Sequence, residues 1–191
     1  MECRHDIGHE NLGRLSVSLQ SLPTVIWHTP LEEYLGHTVH QIRQFRTHGE
    51  KRVRVIMEVF HSVHQMLAEA GTQDHLAIRL APKIVVSVEQ WIAAILDRPG
   101  GATREEIRDR LAVPLLDQIL ADAVPTVHKL AEGRLGIHAA PQSVRIQSRR
   151  MGVTRARIYQ LLDECSKVMN VRWPEGKSRL SAATEKFKTD G

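Results

Sequence analysis

Aromatic residues make up only 4% of this 191-residue chain. That scarcity argues against one large core built on Phe, Tyr and Trp, and favours smaller units packed with Val, Ile, Leu and Ala. Cysteine is nearly absent. Cys3 and Cys165 are too few for a disulfide framework, so a reducing, intracellular setting is the simple expectation. No apolar run reaches the roughly 18 residues that a transmembrane helix needs. Residues 1–6 lack the apolar segment of a signal peptide. A cytoplasmic protein with no membrane partner is expected.

Catalytic signatures are missing as well. There is no Gly-rich phosphate loop, no nucleophile elbow and no paired-carboxylate motif. Among the 11 histidines, His37/His40 and His61/His64 share helix faces at i, i+3 spacing. No carboxylate or cysteine accompanies them at the spacing of a metal site. Cys3, His5 and His9 are either ligands or a disordered polar tip, and no second ligand pair at zinc spacing follows. The expectation is a protein that is not an enzyme, with no cofactor and no metal.

What is present points elsewhere. Hydrophobic content of 42% is ordinary for a folded chain. The net charge of +4 is modest, but it is unevenly spread. Residues 141–180 carry nine Lys/Arg against three Asp/Glu, and residues 37–54 carry five against one, leaving −6 on the remainder. Two basic islands on an acidic remainder imply two polyanion-facing surfaces.

Patterning predicts an all-α fold of several short helices, divided as 12–71, 72–136 and 137–180 with a disordered tail at 181–191. Thr29-Pro30-Leu31-Glu32-Glu33 reads as a helix start, and Thr38 opens another helix. A long helix follows Gly49, with Val53, Ile56, Phe60, Val63, Leu67 and Ala70 at i, i+3/i+4 spacing and Gly71 as its stop. After a connection at 73–82, Pro82 starts a helix with Ile84, Val88, Trp91, Ile92 and Ile95 on one face. Residues 97–102 read as a linker around Pro99-Gly100-Gly101. Thr103 and Glu106 form a capping box that opens a helix carrying Ile107 and Leu111. Pro114 begins another, whose Asp117 and Asp122 mark it as a packing or protein-contact element. Pro125 starts a short helix that Gly133 and Gly136 break.

Phe45-Arg46-Thr47-His48-Gly49-Glu50-Lys51-Arg52 is the first informative stretch. It reads as two helices joined by a tight basic turn at Gly49. Arg46, Gly49, Lys51 and Ile56 follow the pattern of a helix-hairpin-helix and resemble the one in the C-terminal domain of the RNA polymerase α subunit. The resemblance implies phosphate contacts from Arg46, Lys51 and Arg52. The alternative is an ordinary helical hairpin with a solvated basic turn. Thr47 departs from the pattern, which has glycine there.

The second informative stretch is Arg149-Arg150-Met151-Gly152-Val153-Thr154-Arg155-Ala156-Arg157-Ile158-Tyr159-Gln160-Leu161-Leu162. Pro141 starts a supporting helix, with Val144 and Met151 inward. Gly152 suits a tight turn. Thr154 can cap the next helix. Val153, Ile158, Leu161 and Leu162 make an apolar face, and Arg155, Arg157, Tyr159 and Gln160 are left to point outward. Arginine and glutamine near the start of an exposed helix suit major-groove readout. Residues 171–180, around Pro174-Glu175-Gly176-Lys177, form a candidate β-hairpin that would wing the unit and bring Arg172, Lys177 and Arg179 near a DNA backbone.

This run resembles the helix-turn-helix of region 4 in sigma-70-type RNA polymerase factors, over about 25 of the 191 residues. Arg149, Arg150, Gly152, Val153, Thr154, Arg155, Arg157 and Gln160 match the family pattern. The resemblance implies that Arg155 and Gln160 reach bases while Arg149, Arg150, Thr154 and Arg157 hold phosphates or the helix start. Ala156 and Tyr159 replace a glutamate and an arginine, so the usual −35 promoter sequence is not expected. Nothing upstream resembles the promoter-melting sigma region 2. The expected function is sequence-specific binding of double-stranded DNA in transcription initiation or its regulation, with RNA polymerase as a second partner and a nucleoid-associated location. The alternative is a non-catalytic module that docks on RNA polymerase or another transcription factor.

Overall fold

The computed structural model describes residues 7–70 and 82–189. The stop expected at Gly71, most of the connection at 73–82, and Cys3 and His5 lie outside the described residues. Among the described residues the fold is all-helical, with one isolated antiparallel bridge between Asn11 and Pro30 and no strand. The chain divides into two compact units, Met1–Pro82 and Lys83–Gly191.

The first unit holds α1 (Leu12–Leu15), α2 (Glu32–Leu35), α3 (Val39–Gln44) and the long α4 (Glu50–Ala70). Thr38 caps α3 through a complete capping box with Gln41. On α4, Val53, Ile56, Val59 and Val63 are buried at i, i+3/i+4 spacing. Leu12, Leu15, Ile26 and Trp27 are buried in the same unit, and α1 packs on α4. Trp27 is buried because its indole N–H finds the carbonyl of Leu22 at 2.8 Å.

The second unit holds α5 (Lys83–Asp97), α6 (Arg104–Ile107), α7 (Val113–Asp122), α8 (Pro125–Leu135), α9 (Val144–Met151), α10 (Arg155–Arg172) and α11 (Gly176–Thr189). The helix and the separate Pro114 helix expected here are joined end to end. Residues Arg108–Ala112 widen into a π-helical stretch, and the N–H of Val113 reaches back to the carbonyl of Arg108. That widening is how the helix passes Pro114, which has no N–H to give and whose ring crowds the preceding turn. The expected capping box of Thr103 and Glu106 is present.

The linker expected at 97–102 connects two helices as a tight turn. Arg98 donates to the Gly101 carbonyl at 2.9 Å and to Glu106 at 2.9 and 2.8 Å, binding the end of α5 to the start of α6. The candidate wing at 171–180 is instead the end of α10, a short turn, and the start of α11. The tail expected to be disordered is helical to Thr189. Its stripe of Gly176, Leu180, Ala183 and Phe187 runs at helical spacing, and Ala183 and Phe187 join the core of Val85, Val88, Ile92 and Trp173. Gly176 sits so close under the Trp173 indole that a Cβ there would lie 2.6 Å from the ring. The glycine therefore serves close packing and not a hairpin turn. The boundary expected at 136/137 falls inside this single unit, because α10 packs along α8.

Candidate nucleic-acid interface

The α9–α10 connection is specified residue by residue. Ser143 caps α9, accepting from the N–H of Ile146 at 3.3 Å. Gly152 ends α9 in the left-handed region, at φ 65. The N–H of Gly152 bonds to Arg149 at 3.4 Å and that of Val153 to Ser148 at 3.1 Å, the two bonds of a Schellman motif. Ser148 adds a third tie, its hydroxyl donating to the Val153 carbonyl at 2.8 Å. Thr154 then caps α10, accepting from the N–H of Arg157 at 3.1 Å. Three residues thus turn the chain from one helix into the next.

Outward of this turn stand Arg149, Arg150, Thr154, Arg155, Arg157, Tyr159 and Gln160, all exposed. Arg157 donates to the Gln160 side-chain amide oxygen, Oε1, at 3.2 Å, so the two side chains share one side of the first helical turns. Tyr159 is 61% exposed despite its ring. No Asp or Glu occurs between Glu132 and Asp163, while six arginines do. The uninterrupted cationic stretch ends where Asp163 pairs with Lys167 at 2.7 Å.

Inward, Ile158, Leu161, Val168 and Val171 are buried, each contributing on the order of 1.5–3 kcal/mol of apolar burial. Val153 and Leu162 are half-buried, as are Val144 and Met151 on α9. Gln147 is the buried residue of α9, and its amide donates to the Leu130 carbonyl of α8 at 2.8 Å. Cys165, half-buried on α10, has its thiol pushed up by burial and then by Glu164, which makes it a poor nucleophile.

Arg172 is a correction. It was expected to face a DNA backbone, but it is 1% exposed. Its Nε and Nη2 donate to the two carboxylate oxygens of Asp122 at 2.7 and 2.6 Å, and Gln118 adds a third bond to Asp122 at 2.6 Å. The pair ties the far end of α10 to the end of α7. The next residue, Trp173, donates its indole N–H to buried Glu89 on α5 at 3.0 Å. Lys177 and Arg179 are exposed, but on α11 and not on a wing.

In the first unit, Arg46 and Lys51 are exposed at the hairpin. Arg52 is half-buried and donates to the Thr47 hydroxyl at 2.8 Å, so it braces the turn. The strained position is Thr47 and not Gly49. Thr47 has φ 79, the one non-glycine residue with positive φ among those described. Gly49 instead serves as the start of α4, its carbonyl accepting from Arg52 and Val53. A β-branched residue pays for that conformation, which is natural to the glycine of a helix-hairpin-helix.

Sequence reasoning missed Gln147 and Ser148, and it marked Asp122 for a packing element without its partner Arg172. Each is polar, and only the tertiary partner shows why it sits where it does. Among the described residues, no helix is long and apolar enough to cross a membrane, and no group of three or more His, Cys, Asp or Glu could hold a metal ion. Comparison with family models, curated proteins and solved structures found no match.

Proposed function

We propose that α9, its turn and α10 are a DNA-reading helix-turn-helix, and that the protein binds duplex DNA sequence-specifically in transcription initiation or its regulation. The observation that carries this reading is the exposed set Arg155, Arg157, Tyr159 and Gln160 on the first two turns of a helix held at both ends. Arginine can bond bidentately to guanine O6 and N7, and glutamine to adenine N6 and N7. Arg149, Arg150 and Arg157 are the phosphate-binding candidates, with Thr154 fixing the helix start. The alignment of base-reading side chains depends on a rigid helix, and the Arg172–Asp122 tie supplies that rigidity from below. Arg46 and Lys51 offer a separate phosphate contact in the first unit.

Fluorescence anisotropy with a duplex selected for binding tests the reading. Three phosphate contacts predict that log K falls with log salt at a slope of about −3 from this unit. Arg155→Ala and Gln160→Ala should each lower discrimination at one base position by about 1–3 kcal/mol. Unchanged affinity and preference in both variants at physiological salt would sink the assignment.

A second reading, docking on RNA polymerase, draws support from Ile146, which is 52% exposed beside Arg145 and Arg149 on α9. An exposed aliphatic group among arginines suits a protein surface better than a phosphate backbone. Retention of polymerase subunits without DNA, lost in Ile146→Asp, is the outcome that favours it.

A further inference from the structure

We propose that a cleft in the second unit binds a small metabolite that carries a phosphate and a compact body with an N–H donor, of the class of nucleoside monophosphates. The cleft lies between the C-terminal half of α8, the loop of residues 137–142, and α9. Its volume is about 530 Å³, and Lys129, Glu132, Gly133, Gln142, Gln147 and Arg150 line it. Small-molecule sites typically span about 300–1,000 Å³.

The central observation is Gln147. The residue is 2% exposed, and its Nε2 is committed to the Leu130 carbonyl. That bond fixes the amide orientation, because the flipped amide would set two carbonyl oxygens against each other. Its Oε1 is then a buried acceptor with no protein donor. Buried polar atoms of this kind are uncommon and costly, on the order of 1–3 kcal/mol, and call for a partner. A ligand N–H supplies one.

The charges of the cleft fit the other end of such a ligand. Lys129 on α8 and Arg150 on α9 line the cleft as its lysine and arginine, beside Glu132, whose carboxylate lies 3.1 Å from the His138 ring. Two cations flanking a cleft suit a phosphate. Met151, Ala139 and Ala140 supply the apolar lining for a flat ring.

The walls are fixed in advance. Gln142 gives its N–H to Gly133 at 2.9 Å and takes a bond from Arg134 on its carbonyl at 2.9 Å, which pins the loop against α8. Gly133 keeps α8 close to both amides, since a Cβ there would lie 3.0 Å from Gln147 Nε2.

The inference does not rest on the DNA-reading assignment, and its test contains no DNA. The full chain, with Gln side-chain amides labelled by nitrogen-15, is titrated with AMP, GMP, CMP and UMP in turn, and with inorganic phosphate. At least one nucleotide should shift the Gln147 amide and saturate with a dissociation constant at or below about 1 mM, while phosphate alone binds at least tenfold more weakly. Lys129→Ala, an exposed substitution that leaves the core intact, should weaken that nucleotide about tenfold, and Lys129→Arg should restore it. Gln147→Met, which removes the acceptor at similar volume, should weaken it comparably. Silence of the Gln147 amide toward all four nucleotides overturns the proposal. So does phosphate binding as tightly as the nucleotide, or Lys129→Ala binding as tightly as the parent.

Discussion

Replacing Asp122 with alanine removes the carboxylate that accepts three hydrogen bonds, two from Arg172 and one from Gln118. Both charged side chains are out of water, with 1% and 0% of the Arg172 and Asp122 side chains exposed. The substitution therefore leaves a guanidinium buried without its counter-charge. Breaking such a pair from one side costs about 3–5 kcal/mol. Set against a typical domain stability of about 5–15 kcal/mol, that is a large share. The pair itself need not add net stability, because two desolvation penalties oppose the attraction. Hence Asp122→Leu combined with Arg172→Met should recover most of the loss. Urea unfolding in a Trp27→Phe background reads the second unit, because the remaining tryptophans are Trp91 and Trp173, and Trp173 is buried beside Arg172. The midpoint should fall in Asp122→Ala at unchanged slope and return in the double variant. A loss below about 1 kcal/mol in Asp122→Ala, or losses that simply add in the double variant, would refute the anchoring role. The double variant has a second use. If it is stable but reads DNA less sharply, the ion pair sets the direction of α10 more than its stability.

Other substitutions probe the turns. Gly176→Ala should destabilise by about 1–3 kcal/mol in the same urea assay, because its Cβ would meet the Trp173 ring at 2.6 Å. A neutral effect would mean that α11 shifts freely on Trp173. Thr47→Gly should stabilise the first unit by about 1 kcal/mol, since relief of positive-φ strain of about 1–3 kcal/mol exceeds the added chain entropy. A loss of stability would show that the Arg52–Thr47 bond outweighs the strain. The Glu106 carboxyl is lowered to about 2 by its hydrogen bond from Arg98, with the Thr103 N–H next. Because the folded value lies below the unfolded one, its support for the α5–α6 turn is full above about pH 4.5 and fades as pH falls through about 2. Carbon-13 titration of the Glu106 carboxyl should show that low midpoint, moving up toward 4.5 in Arg98→Gln. A parent midpoint already near 4.5 would contradict the pairing.

Local signals were legible where the partner lies within a few residues. Thr38, Thr103 and Thr154 announce helix starts, and each accepts its capping bond as expected. Gly152 announces a turn and makes one. The i, i+3/i+4 rows predict part of the buried faces, since the period is a local property. Val53, Ile56 and Val63 on α4, Val88, Ile92 and Ile95 on α5, and Ile158 and Leu161 on α10 are buried. Phe60, Leu67, Ile84 and Trp91 are only half-buried, and the buried Val59 and Val85 lie outside the rows. What failed depends on distant partners. Arg172 looks like a surface cation until Asp122, 50 residues earlier, is placed against it. Pro174-Glu175-Gly176-Lys177 has hairpin chemistry, but Trp173 must be buried, and Gly176 is the residue that lets α11 lie beneath it. The stripe Gly176, Leu180, Ala183 and Phe187 was hidden because two of its four members are small. The outward residues of the candidate interface were legible from the motif, whereas Gln147 beneath them was not, because glutamine in a helix carries no signal of burial.

The most direct measurement of the central claim is selection of bound sequences from random duplex DNA by the full chain. A shared motif should be recovered whose information lies under α10, and Arg155→Ala and Gln160→Ala should each flatten it at a different base position. Recovery of unenriched sequence by the parent protein, at a salt concentration where it remains folded, would contradict the claim that this helix reads DNA.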